Sequence, residues 1–273
     1  MNLVSGNTIN ASQRDILGMP VCDLRWEDAF SFAEQVATMP FGQTVIAFLN
    51  ANNANLMMRD PQYRAVLERQ VVFPDGHGMD IASRLFHGRQ FPANLNGTDF
   101  VPALLTYISR PMRVAMIGTR EDTLQRAAEN FRRHAPWHSF FPVADGFFDW
   151  SRSDEVMKQV RAVEADILLV AMGSPQQEKW VDRHVGPGHA RLVLSVGALF
   201  DFVAGDVARA PEGVRRLRLE WLHRLIHEPR RLWRRYLFGN PLFLWHILHY
   251  RMSGMPGRPT ATEKRGRAPA SFR

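Results

Sequence analysis

A single cysteine, Cys22, stands among 273 residues. Disulfides and a Cys-rich zinc site are thereby excluded, and a reducing compartment is the simplest setting. No run of about 18 apolar residues occurs, so no ordinary transmembrane helix is expected. The opening MNLVSGNTINASQRD lacks the basic segment and apolar stretch of a signal peptide. There is no G-x-G-x-x-G after a strand, no G-x-x-x-x-G-K-[ST] and no G-x-S-x-G. These absences argue against a dinucleotide oxidoreductase, a P-loop enzyme and a standard serine hydrolase. A D-x-D motif is missing, and His77 has no metal partner at helical spacing, so no metal site is expected.

Positive charge, by contrast, is plentiful and uneven. The formal net charge is +7. From Asp206 to Arg273 there are 15 Lys and Arg against 5 Asp and Glu, and from Met1 to Gly205 there are 19 against 22. The whole excess lies in the last quarter. Such a segment seeks an anionic partner: nucleic acid, anionic lipid or a phosphorylated substrate. The apolar share of 45% suffices for a packed core.

From Thr44 to Phe202, short apolar runs alternate with helical stretches. TVIAFLN, VVFPDG, MRVAMIGT, SFFPVADGFF, ADILLVAMG and RLVLSVGALFDF read as strands. An Asn-rich turn and a helix ending near Gln70 follow the first. Further helices are expected around Met79–Phe86, Glu121–His134 and Asp154–Glu164, and from SPQQEKWVDRH. The alternation implies an α/β fold: a Rossmann-like parallel sheet flanked by helices. In such sheets ligands bind beyond the carboxyl ends of the strands. Asn50, Asp75, Gly76, Gly118, Gly173, Ser174 and Gly197 occupy those ends.

From about Pro211 the alternation stops. Leu217, Trp221 and Leu225 share one helical face. After Pro229, suited to a helix's first position, Leu232, Trp233, Tyr236 and Leu237 form a second stripe flanked by Arg230, Arg231, Arg234 and Arg235. PLFLWHIL follows, too short to span a bilayer. The expected division is an α/β domain over 1–210, a basic amphipathic helical appendage over 211–250 and a disordered polar tail over 251–273. Trp and Leu beside clustered Arg fit an interfacial helix; they also fit a helix packed on its own domain. Interleaved basic and aromatic residues can grip single strands of nucleic acid, but no nucleic-acid motif is present, and LFLWHIL would find nothing there to bury against.

Three stretches offer chemistry. In MGSPQQEKW, Gly173 permits close backbone approach, Ser174 can cap a helix, and Pro175 suits its first position. A helix amino terminus there suits a diphosphate, and Gln176, Gln177 and Glu178 can bond a sugar or ribose. An ordinary capped helix reads the same way. In FPDGHGMD, Asp75 can take a proton from an acceptor hydroxyl or form an Asx-turn ahead of Gly76. In DFVAGDVARAP, Arg209 suits bidentate phosphate recognition or simple surface exposure.

FLNANNANLM, VVFPDGHGMD, NGTDF, VAMIGTRED, ADGFF, ILLVAMGSPQQE, SVGALFDFVAGDVARAP and RLEWLHRLIHEPRRLWRRY together resemble the WecG/TagA/CpsF glycosyltransferase family, in the family's order over roughly residues 44–240. The resemblance implies an inverting, metal-independent enzyme without a cofactor, acting in bacterial surface or exopolysaccharide biosynthesis. It would move a hexose or N-acetylhexosamine from a UDP-sugar to a polyprenyl-diphosphate-linked saccharide. Asp75 would be the general base, Asn50 and Gln177 would shape the donor pocket, and Arg209, Arg215 or Arg216, Arg224 and Arg231 would meet the diphosphate. Phe48 stands where the family often has Thr, and ALF replaces small residues in VGALFDF. The expected location is the cytoplasm, peripherally on the inner face of the plasma membrane, with an anionic lipid surface and no nucleic acid as partner. A homo-oligomer is compatible with the resemblance. The alternatives are a non-catalytic nucleotide-binding membrane adaptor of the same fold and a basic RNA-binding protein.

Overall fold

The computed structural model describes residues 12–211, 213–214, 220–227 and 229–254, without the side chains of residues 220, 221, 224, 227 and 231. Arg215, Arg216 and the tail from residue 255 lie outside the described residues, as do the side chains of Arg224 and Arg231.

Two short strands, β1 (Gln13–Ile16) and β2 (Met19–Cys22), form an antiparallel hairpin ahead of α1 (Trp26–Thr38). Then come β3 (Thr44–Leu49), α2 (Ala51–Arg59), α3 (Pro61–Leu67), β4 (Val71–Pro74), α4 (His77–His87), α5 (Gly97–Tyr107) and β5 (Arg113–Gly118). After these follow α6 (Glu121–His134), β6 (Ser139–Ala144), α7 (Ser153–Ala162), β7 (Ile167–Ala171), α8 (Gln176–His184), β8 (Leu192–Ser195) and α9 (Leu199–Val203). The six strands β3–β8 form one parallel sheet in the order β4-β3-β8-β7-β5-β6.

Every residue of β3, β4, β7 and β8 is buried, as a sheet covered on both faces requires. Along β3, Ile46 and Phe48 enter the core shared with α1, α5 and α6, while Ala47 and Leu49 enter the core shared with α2, α4 and the hairpin. The period of two thus sends alternate side chains to opposite helical layers.

Local chemistry sets the helix starts. Asn50 caps α2 by accepting from the Asn53 N–H, so the Asn-rich segment read as a turn is helix. Asp60 ends that helix and caps α3, with Pro61 at its first turn. One expected helix is therefore two, bent where the proline cannot continue the first.

Beyond the sheet, the described residues include the helices Glu220–His227, Pro229–Leu237 and Gly239–Met252. The last returns to the α/β body. Phe243 and Ile247 are buried in the core containing α2 and α4, and Asn55 Nδ2 donates to the Gly239 carbonyl at 2.7 Å. The apolar run LFLWHIL is thus divided. Phe243 and Ile247 point inward, whereas Leu244, Trp245 and Leu248 are exposed. No helix among the described residues is long and apolar enough to cross a membrane.

Candidate active site

A cleft of about 660 Å³ opens at the carboxyl ends of β3 and β4. Asn50, Asp75, His77 and Asn94 line one side; Arg235 and Tyr236, from the end of helix Pro229–Leu237, line it as well. A second depression, of about 580 Å³, lies along edge strand β6 and has no carboxylate among its lining residues. Only the first can supply a carboxylate base.

Asp75 is fixed by its backbone. Its N–H donates to the Leu49 carbonyl at 2.9 Å, and the next N–H, of Gly76, donates to Asn94 Oδ1 at 2.8 Å. Gly76 has φ +85°, where a side chain would be strained. The carboxylate Oδ2 accepts from Asn50 Nδ2 at 3.0 Å. Asn50 therefore serves twice, since its Oδ1 holds the Asn53 N–H at 3.0 Å. Ala51 and His77, the first residues of α2 and α4, also line the cleft. Two helix amino ends meet there, and their dipoles favour negative charge.

The other expected residues divide. Gly118 has φ +137°, and a Cβ there would fall 2.3 Å from the Ala171 carbonyl oxygen. It is the close crossing of β5 and β7. Gly173, with φ +80°, has open space where a Cβ would stand. Helix α8 starts at Gln176 with Pro175 at the cap position and no side-chain cap bond. Ser174 does not cap it; its hydroxyl donates to Glu178 Oε1 at 2.6 Å.

Of the three residues expected to bond a sugar or ribose, Gln177 and Glu178 are buried, at 2% and 0% exposure, and Gln176 is exposed. Gln177 Oε1 accepts from the N–H groups of Gly173 and Gly197, each at 3.1 Å, bracing two loops. Burial raises the Glu178 carboxyl above its ordinary range, against hydrogen bonds from Ser174 and Gln177 that lower it. Arg209 is not among the residues lining the cleft. It pairs with Asp99 at the start of α5.

Arg235, Tyr236 and Asn94 were not singled out for the site from sequence. Arg235 stands in a run of similar arginines, and only packing of the final helices reveals which one faces Asp75's cleft. Nothing in FPANLNG distinguishes Asn94.

Sheet and crossovers define a Rossmann-like α/β fold, with a carboxylate-lined cleft beyond the strand ends. The chain matches the glycosyl transferase WecG/TagA/CpsF family over residues 14–256, and it belongs to that family. A relative from Bacillus spizizenii (strain ATCC 23059 / NRRL B-14472 / W23) is 31% identical over 234 residues, 83% of this chain and 88% of its own. One from Bacillus subtilis (strain 168) is 31% identical over 197 residues, 71% and 75% of the two chains. Both are N-acetylglucosaminyldiphosphoundecaprenol N-acetyl-beta-D-mannosaminyltransferases. This chain is accordingly a glycosyltransferase.

Proposed function

We propose that this chain is an inverting transferase moving a hexose or N-acetylhexosamine from a UDP-sugar to a saccharide on a polyprenyl diphosphate, in surface or exopolysaccharide synthesis. The observation carrying this reading is that Asp75, held by Asn50, shares its cleft with Arg235 and two helix amino ends. The relatives' names support the lipid-linked acceptor.

Asp75 takes the proton of the acceptor hydroxyl as its oxygen attacks the anomeric carbon. The new carbon–oxygen bond forms opposite the bond to the UDP phosphate, which breaks, so the configuration inverts. The departing diphosphate gains negative charge, met by Arg235 and the amino ends of α2 and α4. Arg215, Arg216, Arg224 and Arg231 are proposed as further cations, and the reaction as metal-independent. Gly173, with open space where a Cβ would stand, lets the donor approach backbone, and Gly118 sets the end of β5 beside it. From the end of β3 to the end of β5 is three strand spacings, roughly 15 Å, so a donor touching both lies extended across the sheet.

The exposed Trp233, Leu237, Phe238, Trp245 and Leu248, with Arg230 and Arg234 beside them, form the surface proposed to dock on the anionic cytoplasmic leaflet. A screen of several UDP-sugars with a synthetic prenyl-diphosphate-sugar acceptor, run with and without chelator, tests the reading. Acceptor-dependent UDP release that survives chelation supports it. Donor binding without transfer to any acceptor identifies the non-catalytic adaptor instead.

A further inference from the structure

The sheet order brings the carboxyl ends of β4, β3, β8 and β7 side by side, and one set of polar side chains links all four. Asp75 follows β4 and accepts from Asn50, which follows β3. Asn53, one turn into α2, donates its N–H to Asn50 Oδ1 and its Nδ2 to the Phe48 carbonyl at 3.0 Å. The same Nδ2 lies 3.2 Å from Ser174 Oγ, beyond β7. Ser174 passes its one proton to Glu178 Oε1, and Gln177 Nε2 reaches that oxygen at 2.8 Å. Gln177 Oε1 ties Gly173 after β7 to Gly197 after β8. The hydroxyl of buried Tyr63 also bonds Ser174.

Glu178 lies at the closed end of this chain, with no exposed surface. It cannot touch a substrate. Its Oε2 is buried without a hydrogen-bond partner, and the donors reaching Oε1 are a hydroxyl and an amide, both neutral. A carboxylate in that setting is costly, and the bonds from Ser174 and Gln177 offset part of that cost. What it holds is the direction of the Ser174 hydroxyl. A hydroxyl has one proton and two lone pairs. With the proton committed to Glu178, the two lone pairs of Ser174 face the amide donors of Asn53 and Gln177. Without that commitment, the hydroxyl can turn its proton towards Asn53 and lose the link to α2.

We propose that Glu178 is a positioning residue: acting through Ser174, Asn53 and Asn50, it fixes how Asp75 faces the cleft. The inference rests on the proposed function, because it takes Asp75 as the base. Glu178→Gln keeps an acceptor for Ser174 and Gln177 and can present a donor where Oε2 now has no partner. Glu178→Ala removes the acceptor altogether.

The test is a double-mutant cycle on transfer kinetics with Asn50→Ala, Glu178→Ala and the pair. Each single change is expected to lower kcat by about 10- to 100-fold, the scale of a small misplacement of a reacting group. KM for the donor should move much less. The pair should be no slower than the worse single, because both act on one link. Glu178→Gln should recover most of the lost kcat. Multiplicative losses, or a Gln variant as slow as the Ala variant, overturn the proposal. If Glu178→Ala does not fold, Ser174→Ala replaces it in the cycle with the same expected outcomes. Asp75→Asn separates the two levels. If it abolishes transfer while the cycle is multiplicative, only the positioning role fails; if it transfers at full rate, both readings fail.

Discussion

Phe243 seats its ring against Gly78, three residues beyond Asp75: a Cβ built on Gly78 would lie 3.3 Å from Phe243 Cε1 and 3.1 Å from the Ala51 Cβ. The turn that carries the carboxylate and the helix that returns from the carboxyl-terminal arm are therefore packed on one another. Phe243→Ala removes a side chain that is 2% exposed, at a cost of about 3 kcal/mol. The loss should appear as faster amide exchange in helix Gly239–Met252 and a lower melting temperature. Transfer to a lipid-linked acceptor should fall on the order of tenfold. Unchanged exchange in that helix would show that the contact holds nothing.

Arg235 is the described arginine lining the Asp75 cleft. Arg235→Ala should lower kcat/KM by about 100-fold, the scale for losing one group that meets transition-state charge. UDP should bind more weakly as well. Arg235→Lys should restore part of the rate, since it keeps the charge but not the guanidinium fork. Steady-state kinetics and UDP titration on the three forms decide this.

Leu244, Trp245 and Leu248 are exposed on the helix whose opposite face buries Phe243 and Ile247. Trp245→Glu with Leu248→Glu should leave the melting temperature nearly unchanged. It should release the protein from vesicles containing anionic phospholipid in a sedimentation assay. Raising the salt from 0.1 to 1 M should weaken the wild-type association too, because the exposed cations are then screened. If the double variant still sediments with vesicles as wild type does, the docking surface lies elsewhere.

Glu178 also gives stability a dependence on pH. In the folded chain its carboxyl titrates above its ordinary value because of burial; in the unfolded chain it titrates in the ordinary range. Between those two values the folded state holds the extra proton, so stability falls as pH rises. The contribution is complete below the unfolded value and lost once pH passes the folded one. Glu178→Gln has no such proton. Urea midpoints from pH 4 to pH 8 should show the Gln variant gaining on wild type as pH rises. Parallel curves would place the Glu178 titration in its ordinary range in both states.

The parallel strands were legible because they are continuous apolar runs ending in Gly, Asn or Asp, and α6 starts and stops at the residues its pattern predicts. The first hairpin was not. Its strands are four residues each, and its turn residues are Leu17 and Gly18, both with positive φ (57° and 79°). A leucine in that position gives none of the Asn-Gly or Asp-Gly signal of a two-residue turn. Helix α5 was missed for a related reason, since it begins with Gly97 and contains Pro102, both poor helix formers. Asp75 and Asn50 were legible as strand-end residues, and both line the cleft. Gln177 and Glu178 stand equally near a strand end, yet fold inward, and spacing alone does not separate a side chain that faces solvent from one that braces a loop. Arg235 shows the converse: its role depends on how the last helices pack against α2 and α4.

The most direct measurement is transfer by Asp75→Asn, read as disaccharide formed on a prenyl-diphosphate-sugar acceptor, with donor binding measured on the same sample. The variant keeps the shape of the side chain and loses its capacity to take a proton. Binding of the UDP-sugar should persist while transfer falls by at least about 100-fold. Transfer at the wild-type rate would contradict a base at this position, and with it the account of how the acceptor hydroxyl is activated.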